Sequence, residues 1–545
     1  MEEEEHMRLS KKDFVIIIVF LIIFLLITIP GIDWGAPGIW NPDEIIKKVA
    51  FSYNENPPFD QNDLTYPDLP LFIMTFIANL IANLGKGNFA IIVGIRAFSV
   101  FLGSIILIST YFVAAKLTSN RWVGITASLL IITNNEYVIN SRFAHNDIYL
   151  MFFSILSVYS LFGFQHTKKN VWLYISFAFV GFAAASKYNG GALILAPILI
   201  YLVHVFSLRK KKTLKFLSEL FLGGIISFLS YIIGNPSLLK NPLDYFNKLI
   251  DVLTLHATYN ILPGDKVGFW GQFSVLYEDT FGKIIFIFVV SSFLFVTARL
   301  LLYKQKIWLW GEKKFDALLV ILVSIFVYDL PIMVSYNYPS RFFLFFIPLI
   351  ALMVGVFLDE IAKVLKPKRW IYSTIILLLI GGLIFSALET ISVFLTFKND
   401  SRIVASEYIF NQYPNVQELA IEYTLYPPRI DKSRFLKAHN YPLILIKFPD
   451  QEIPTSQYFV YNTGEEGIEI RRPDIIVVDS LTYDRFENNY VCELHLADCL
   501  FFEDLLAGHT NYKLVKSFIY ELPSFLPEKS VTFTNPDIHI FQRMP

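Results

Sequence analysis

Charged and hydrogen-bonding side chains recur in short segments that separate long apolar runs. The segments are residues 40–44 (Trp-Asn-Pro-Asp-Glu), 65–70 (Thr-Tyr-Pro-Asp-Leu-Pro), 140–147 (Asn-Ser-Arg-Phe-Ala-His-Asn-Asp), 186–191 (Ser-Lys-Tyr-Asn-Gly-Gly) and 336–341 (Tyr-Asn-Tyr-Pro-Ser-Arg). A carboxylate can accept a proton, and Lys, Arg or Tyr can stabilise an anion. If these segments meet at one face of a helix bundle, they predict a polar cavity that can both accept a proton and stabilise an anion.

Some of these residues also have plainer interpretations. Asp43 and Glu44 could favour the start of a helix through the helix dipole. Lys187 and Arg341 could be interfacial anchors whose charged ends reach water. The convergence of several such groups on one face is what favours a functional site.

Three further features bear on that choice. Arg142 and Asp147 could form an interfacial ion pair of little energetic value. Arg96 falls inside an apolar run, where an ionisable group is a functional candidate, although it could also snorkel to the surface. The turn at Lys187 contains Asn and Gly, which tolerate left-handed backbone angles, so we expect such angles there.

The composition places most of the chain in lipid. Of its 545 residues, 54% are hydrophobic and 17% are charged, whereas soluble domains carry about 25% charged residues. The formal net charge of −1 gives no electrostatic basis for binding nucleic acid, so nucleic acid is not expected as a partner. These values predict a multi-pass membrane protein.

Apolar runs long enough to cross a bilayer as helices, about 20 residues each, occur about eleven times. The predicted spans are 14–30, 88–115, 121–139, 147–164, 171–186, 190–207, 214–234, 283–303, 316–334, 341–358 and 370–396. Lys and Arg concentrate in alternate loops, such as 209–212 and 363–369, which predicts that those loops are cytoplasmic. The N-terminus is then cytoplasmic, and an odd number of spans puts the C-terminus outside.

The outer side is predicted to carry two long loops and a domain. The loops 31–87 and 235–282 could hold short helices on the membrane. Residues 398–545 are more polar and predict an extracytoplasmic domain of mixed α and β structure, following the membrane domain of residues 1–397. Its predicted strands are 443–447, 475–479, 512–520 and 538–541. Cys492 and Cys499 either close a short disulfide loop or stay as two thiols.

The polar segments resemble those of the GT-C glycosyltransferases, in particular protein O-mannosyltransferases and the aminoarabinose transferases that act on lipid A. The resemblance is carried by Asp43-Glu44, by residues 141–147 (similar to R-x-A-x-x-D), by the small-residue run 181–190 around Lys187, by Arg341-Phe342-Phe343 with Pro348, and by a tail segment at 473–480. The chain departs from the family pattern at Tyr66-Pro67-Asp68-Leu69, where His-Pro-Pro-Leu is frequent. It also lacks the Trp-Trp-Asp-Tyr-Gly run of oligosaccharyltransferase subunits.

This resemblance covers about 14–360 and implies a GT-C fold. The implied fold class is a polytopic α-helical membrane protein with a C-terminal extracytoplasmic α/β domain. The implied reaction transfers one sugar, with inversion, from a polyprenyl-phosphate donor to a hydroxyl of a protein, lipid or glycan acceptor. It would occur at the extracytoplasmic side of the plasma membrane, with membrane lipid around the chain.

The resemblance also implies roles for individual residues. Asp43 is the expected base, and Glu44 is its helper. The donor phosphate and sugar would be bound by Tyr66, Arg142, His145, Asp147, Lys187, Tyr338 and Arg341. No cofactor is required by this chemistry, because cations can stabilise the leaving phosphate, although His145 and an acidic neighbour could hold a divalent metal.

Two other classes of protein would also carry charged groups beside a helix bundle. One is a transporter or flippase of a lipid-linked sugar or a solute, but such proteins often contain two similar halves with interrupted helices, and none are evident here. The other is a membrane scaffold, which would leave the convergent charges without a use. We therefore expect an enzyme.

Overall fold

The computed structural model describes residues 10–46, 49, 66–207, 213–258, 268–302, 313–333, 339–365, 367–414, 416–441, 463–529 and 531–545. The described residues form two compact units. The first contains the described residues up to Thr390 except Pro37–Pro42, and the second contains Pro37–Pro42 and the described residues of Ile391–Pro545.

Helices of 4 to 31 residues dominate the first unit. They are α1 (Lys11–Thr28), α2 (Asp68–Asn83), α3 (Asn88–Thr118), α4 (Arg121–Ile132), α5 (Asn135–Arg142), α6 (Asn146–Thr167), α7 (Asn170–Ser186), α8 (Leu195–Ser207), α9 (Thr213–Gly234), α10 (Ser237–Lys240), α11 (Pro242–Thr258), α12 (Gly268–Val275), α13 (Lys283–Leu302), α14 (Lys313–Met333), α15 (Phe346–Val364) and α16 (Arg369–Lys398). Short 3-10 turns at Tyr188–Ile194 and Ser340–Phe343 precede α8 and α15.

Six helical segments within the described residues are long and apolar enough to cross a membrane. They are Asn88–Thr118, Asn146–Thr167, Tyr188–Phe206, Phe216–Gly234, Asp316–Met333 and Arg369–Gln412. The prediction of a polytopic α-helical membrane protein is therefore confirmed, while the number of eleven spans stays a prediction. Small residues allow close helix packing, because a Cβ at Gly181 of α7 would lie 2.2 Å from the backbone oxygen of Ser227 in α9.

One predicted span is divided in the structure. Residues 121–139 form two helices, α4 and α5, which are separated at Thr133 and Asn134. The Asn134 side chain accepts a hydrogen bond from the backbone N–H of Tyr137 and donates one to the carbonyl of Thr280. This capping starts a new helix that ends at Arg142, three positions before His145.

The second unit is an α/β domain with a five-stranded sheet. Its helices are α17 (Ser401–Gln412), α18 (Gly464–Arg471), α19 (Ser480–Tyr483), α20 (Asn489–Leu494) and α21 (Leu496–Ala507). Its strands are β1 (Val416–Tyr423), β2 (Phe435–Asn440), β3 (Ile475–Asp479), β4 (Tyr512–Phe518) and β5 (Ile538–Arg543). The spatial order is β2-β1-β3-β5-β4, with β1 parallel to β2 and β3, and β5 antiparallel to β3 and β4.

The central strand explains why the domain folds as two layers around a sheet. All five residues of β3 are buried, and the first four alternate between two apolar clusters. Ile476 and Val478 pack with Phe502 of α21, whereas Ile475 and Val477 pack with Ile409 of α17. Burial on both faces is typical of a strand in a sheet that is covered by helices on each side.

The α/β class of this domain and the strands expected at 475–479, 512–520 and 538–541 are confirmed by β3, β4 and β5. The strand expected at 443–447 lies outside the described residues, and β1 and β2 were not expected. Cys492 and Cys499 form a disulfide, with their Cα atoms 5.2 Å apart.

Candidate functional site

Asp147 is the centre of a cluster of oppositely charged side chains in the first unit. It lies in the first turn of α6, follows the N-cap residue His145, and its side chain is only 2% exposed. Its Oδ1 accepts a hydrogen bond of 2.7 Å from Nζ of Lys187, and its Oδ2 lies 2.7 Å from Nδ1 of His145 and 3.6 Å from Nε of Arg341. A buried carboxylate requires such compensation, so the cluster fixes the relative positions of these three side chains.

Lys187 is held at the point where α7 ends. It has an extended backbone, and the 3-10 turn that follows it packs tightly, because a Cβ at Gly190 would lie 2.6 Å from the carbonyl of Ala183. The expectation of left-handed backbone angles in this turn was wrong, since Asn189, Gly190 and Gly191 have no positive φ. The glycine is needed here for close approach to the preceding helix.

The environment of the Lys187 ammonium is partly apolar. Its Nζ lies 4.1 Å from the centre of the Phe342 ring, and its side chain is 14% exposed. Burial lowers the pKa of Lys187, and the negative charge of Asp147 opposes that shift. The amine is thus a cation that is held by one carboxylate and reachable at one end.

Arg341 and Asp43 continue the cluster toward solvent. Nη1 of Arg341 donates a hydrogen bond of 2.6 Å to Oδ2 of Asp43, and these side chains are 28% and 30% exposed. Along the order Asp43, Arg341, Asp147, Lys187 the charges alternate, and Asp147 is the most buried of the four side chains. Asp43 is therefore the accessible carboxylate of this chain of contacts, and Asp147 is the inaccessible one.

Glu44 differs completely from its neighbour Asp43. It is buried and bonds Arg96 through two contacts of 2.6 and 2.9 Å, with the two side chains 0% and 2% exposed. Arg96 also donates to the carbonyls of Ile32 and Trp34, at 2.8 and 2.6 Å. The snorkelling interpretation of Arg96 was wrong, because all of these partners lie inside the unit.

Glu44 also connects to the segment that carries His145. The backbone N–H of Ala144 donates to Oε1 of Glu44 at 2.8 Å, and the N–H of Ile45 donates to the carbonyl of Ala144 at 3.2 Å. These bonds attach residues 44 and 45 to the residue that precedes His145. The contacts of Glu44 thus position the polar segment.

Three of the predicted site residues remain, namely Tyr66, Arg142 and Tyr338. Tyr66 is half-buried, with its ring edge-on to His145 at 6.4 Å between ring centres. Arg142 is buried at the end of α5, where its guanidinium donates to the carbonyl of Pro30 and lies near Arg96. Tyr338 lies outside the described residues.

Two residues near the cluster were missed in the sequence. Tyr328 of α14 is buried, and its hydroxyl accepts a hydrogen bond of 3.3 Å from the amide of Asn189. The polar pair of Tyr328 and Asp329 inside an apolar span was the available signal. Phe342 contacts Lys187, and it stood beside Arg341 in the motif that carried the resemblance.

His145 and Asp147 would supply two ligands to a metal ion. Within the described residues, no group of three His, Cys, Asp or Glu side chains is arranged to hold one. The divalent metal that the sequence allowed stays a prediction.

Comparison with protein families gives one match. Residues 75–234 match the model of the family described as dolichyl-phosphate-mannose-protein mannosyltransferase. This segment is less than a third of the chain, and it contains Arg142, His145, Asp147 and Lys187. The resemblance stated from the sequence is confirmed over this segment. No curated protein matches the chain significantly.

Solved structures of membrane glycosyltransferases are similar to the chain at low identity. ArnT from Cupriavidus metallidurans bound to undecaprenyl phosphate has 12% identity and a TM-score of 0.46, covering 96% of this chain and 97% of that chain. The archaeal oligosaccharyltransferase AglB from Archaeoglobus fulgidus, with an inhibitory peptide and a dolichol-phosphate, has 12% identity and a TM-score of 0.44, covering 87% and 70%. The S. cerevisiae Pmt1-Pmt2 complex bound to the sugar donor has 18% identity and a TM-score of 0.27, covering 48% and 36%.

Proposed function

We propose that this protein is a membrane glycosyltransferase that moves one sugar from a polyprenyl-phosphate donor to a hydroxyl acceptor, with inversion. The observation that carries the proposal is the chain of contacts from the partly exposed Asp43 through Arg341 and Asp147 to Lys187. It provides one accessible carboxylate and two cations within one cluster. The family match over residues 75–234 supports the class of donor.

The cations are suited to the phosphate of the donor. Lys187 and Arg341 each contact a carboxylate but keep 14% and 28% of their side chains exposed, so further N–H groups remain for an anion. The leaving group gains negative charge as its bond to the sugar breaks. Cations that are already held in place stabilise that charge without reorganisation, and we assign this role to Lys187 and Arg341.

The base is the partly exposed carboxylate of Asp43. In the proposed step the acceptor oxygen attacks the anomeric carbon, the bond from that carbon to the phosphate oxygen breaks with its electron pair, and Asp43 takes the proton of the acceptor hydroxyl. Asp147 is unsuited because its side chain is 2% exposed and surrounded by positively charged groups. Glu44 is unsuited because Arg96 and the backbone of Ala144 occupy both of its oxygens, so we assign it a positioning role.

The acceptor class stays open between a protein hydroxyl and a lipid or glycan hydroxyl, and the family name makes mannose the first donor to test. We further propose that the reaction occurs at the extracytoplasmic side of the plasma membrane, with the N-terminus in the cytoplasm and the α/β domain outside. The unequal distribution of Lys and Arg between loops supports that orientation. The disulfide of the α/β domain also supports it, because disulfides persist outside the cytoplasm.

The test is release of polyprenyl phosphate by purified protein in detergent. Radiolabelled polyprenyl-phosphate mannose and donors with other sugars are supplied with a mixture of hydroxyl acceptors. We expect release by the wild type, and loss of about 10²–10⁴-fold in Asp43→Asn because the base is removed. Asp33→Asn is the matched control, since Asp33 is an exposed carboxylate ten positions earlier, and it should keep wild-type turnover.

Two outcomes would overturn the proposal. If Asp43→Asn folds and turns over like Asp33→Asn, then Asp43 is not the base. If the folded wild type releases polyprenyl phosphate from no donor, the glycosyltransferase assignment fails. Movement of a lipid-linked sugar across vesicles would in that case identify a flippase.

A further inference from the structure

Two consecutive residues at the start of α6 have polar atoms that nothing in the described protein satisfies. His145 is the N-cap residue of the helix and Asn146 is its first residue, and both are buried. Nε2 of His145 and both amide atoms of Asn146 have no hydrogen-bond partner among the described residues. Buried polar atoms are nearly always paired in folded proteins, so this cluster requires a partner that is not part of the described chain.

The other ring nitrogen of His145 is already engaged. Nδ1 lies 2.7 Å from Oδ2 of Asp147 and 3.3 Å from the backbone nitrogen of the same residue. Both contacts are inside the first turn of α6, and they fix the orientation of the ring. Nε2 is therefore the atom that is available to a ligand.

The hydrogen-bonding groups of Asn146 indicate the chemistry of the missing partner. Its Nδ2 must donate a hydrogen bond and its Oδ1 must accept one, so the partner has to offer both functions. A phosphate diester oxygen only accepts, and it would leave Oδ1 unsatisfied. Hydroxyl groups donate and accept, and they also match Nε2 of His145 in either tautomer of the ring.

The position of His145 and Asn146 beside Asp147 indicates that these hydroxyls belong to the sugar of the donor. Asp147 contacts His145 through one oxygen and Lys187 through the other, so a single carboxylate separates the unpaired ring nitrogen from the proposed phosphate ligand. The sugar is covalently joined to that phosphate. The acceptor instead meets Asp43, at the exposed end of the cluster.

We propose that His145 and Asn146 form the subsite that recognises hydroxyl groups of the donor sugar and thereby determine which sugar is transferred. This inference rests on the proposed function and assigns the sugar-binding part of the same site. Asp147 acts as the common support, because it orients His145 on one side and Lys187 on the other.

The experiment combines modified donors with modified protein. The donors are polyprenyl-phosphate mannose and its single-deoxy derivatives, in which one hydroxyl at a time is replaced by hydrogen. The variants are Asn146→Leu, which keeps the size of the side chain, and His145→Asn, whose amide can keep the contacts of Nδ1 but has no atom at Nε2. The measured quantity is kcat/KM for each donor.

We expect the wild type to use at least one deoxy donor about 10- to 100-fold less well than the parent, because that donor leaves a buried polar atom unpaired. In at least one variant the preference for the parent over that deoxy donor should fall to about 3-fold or less, since the atom that bound the hydroxyl is absent. If the wild type uses every deoxy donor like the parent, or if both variants keep the full ratio, the subsite assignment is wrong.

Binding of free undecaprenyl phosphate separates this subsite from the phosphate site. His145→Asn and Asn146→Leu should bind the lipid like the wild type, whereas Lys187→Met should bind it more weakly. Equal weakening in all three would mean that His145 and Asn146 serve the phosphate. If the wild type releases polyprenyl phosphate from none of the donors, the proposed function itself is refuted. This outcome is distinct from failure of the subsite assignment, because it is seen in the wild type alone.

Discussion

The buried pair of Glu44 and Arg96 gives the sharpest prediction about how the site is held. In Glu44→Gln the shape of the side chain is kept and its charge is removed. Arg96 then stays buried with its carbonyl contacts to Ile32 and Trp34 but without a counter-charge. The bond from the backbone of Ala144 also changes from a carboxylate acceptor to an amide acceptor.

The expected loss in the free energy of unfolding follows from the burial of the two side chains. The side chains of Glu44 and Arg96 are 0% and 2% exposed, and breaking a buried pair by removal of one partner costs about 3–5 kcal/mol. The pair of Asp43 and Arg341 has the same 2.6 Å contact distance, but its side chains are 30% and 28% exposed. An ion pair with that exposure contributes at most about 1 kcal/mol, so Asp43→Asn should leave the free energy of unfolding nearly unchanged.

The assay is a double-mutant cycle on the free energy of unfolding, measured by SDS titration in mixed micelles. Glu44→Gln and Arg96→Met should each destabilise the protein. The double variant should recover about 2 kcal/mol or more, because it buries no unpaired charge. Wild-type stability of Glu44→Gln, or additive losses in the double variant, would refute the structural role of this pair.

Three other variants test the cluster and the α/β domain. Asp147→Asn removes the charge that neutralises Lys187, so free undecaprenyl phosphate should bind about 10-fold more tightly while turnover falls, and unchanged binding would contradict the electrostatic argument. Replacing Cys492 and Cys499 by Ser opens a short loop and should cost about 2–3 kcal/mol in the α/β domain, measured by protease resistance with reduced wild type as the reference. Burial lowers the pKa of His539 below 6.5, so the folded domain binds fewer protons than the unfolded chain, and its stability is lost as the pH falls through the folded pKa. The protection factors of the β5 amides, which correct the exchange rate for its intrinsic pH dependence, should fall as the pH drops below about 6.5 in the wild type and fall less in His539→Gln.

The fold was largely predictable where one physical signal dominates. Long apolar runs give membrane helices, because the bilayer leaves the backbone no other way to satisfy its hydrogen bonds. The break at Asn134 was not predictable from hydropathy, since it depends on a hydrogen bond to Thr280, which is distant in the sequence. Strands β1 and β2 were missed because their side chains are mostly exposed or half-buried, so they lack the continuous apolar run that identified β3.

Part of the site could also be predicted. The sequence predicted that Asp147, Lys187 and Arg341 are neighbours, because all three were expected at helix ends on one face, and the structure brings them together. It did not predict that Tyr328 lies close by, since a tyrosine within an apolar helix is usually a packing residue. It also left Asn146 unmentioned, because an unsatisfied amide is a property of packing and has no signature in the sequence.

The adjacent residues Asp43 and Glu44 show why residue type and spacing alone do not assign catalytic roles. Neighbouring side chains on irregular backbone point in different directions, so one carboxylate reaches Arg341 and the other enters the interior beside Arg96. The longer side chain of Glu44 accepts three hydrogen bonds there, two from Arg96 and one from the backbone of Ala144. Arg96 in turn donates to the carbonyls of Ile32 and Trp34, so the pair connects these segments. The shorter side chain of Asp43 then stands on a segment whose position is already fixed. A proton acceptor benefits from that rigidity, because the distance to the reacting hydroxyl is set before the substrate arrives.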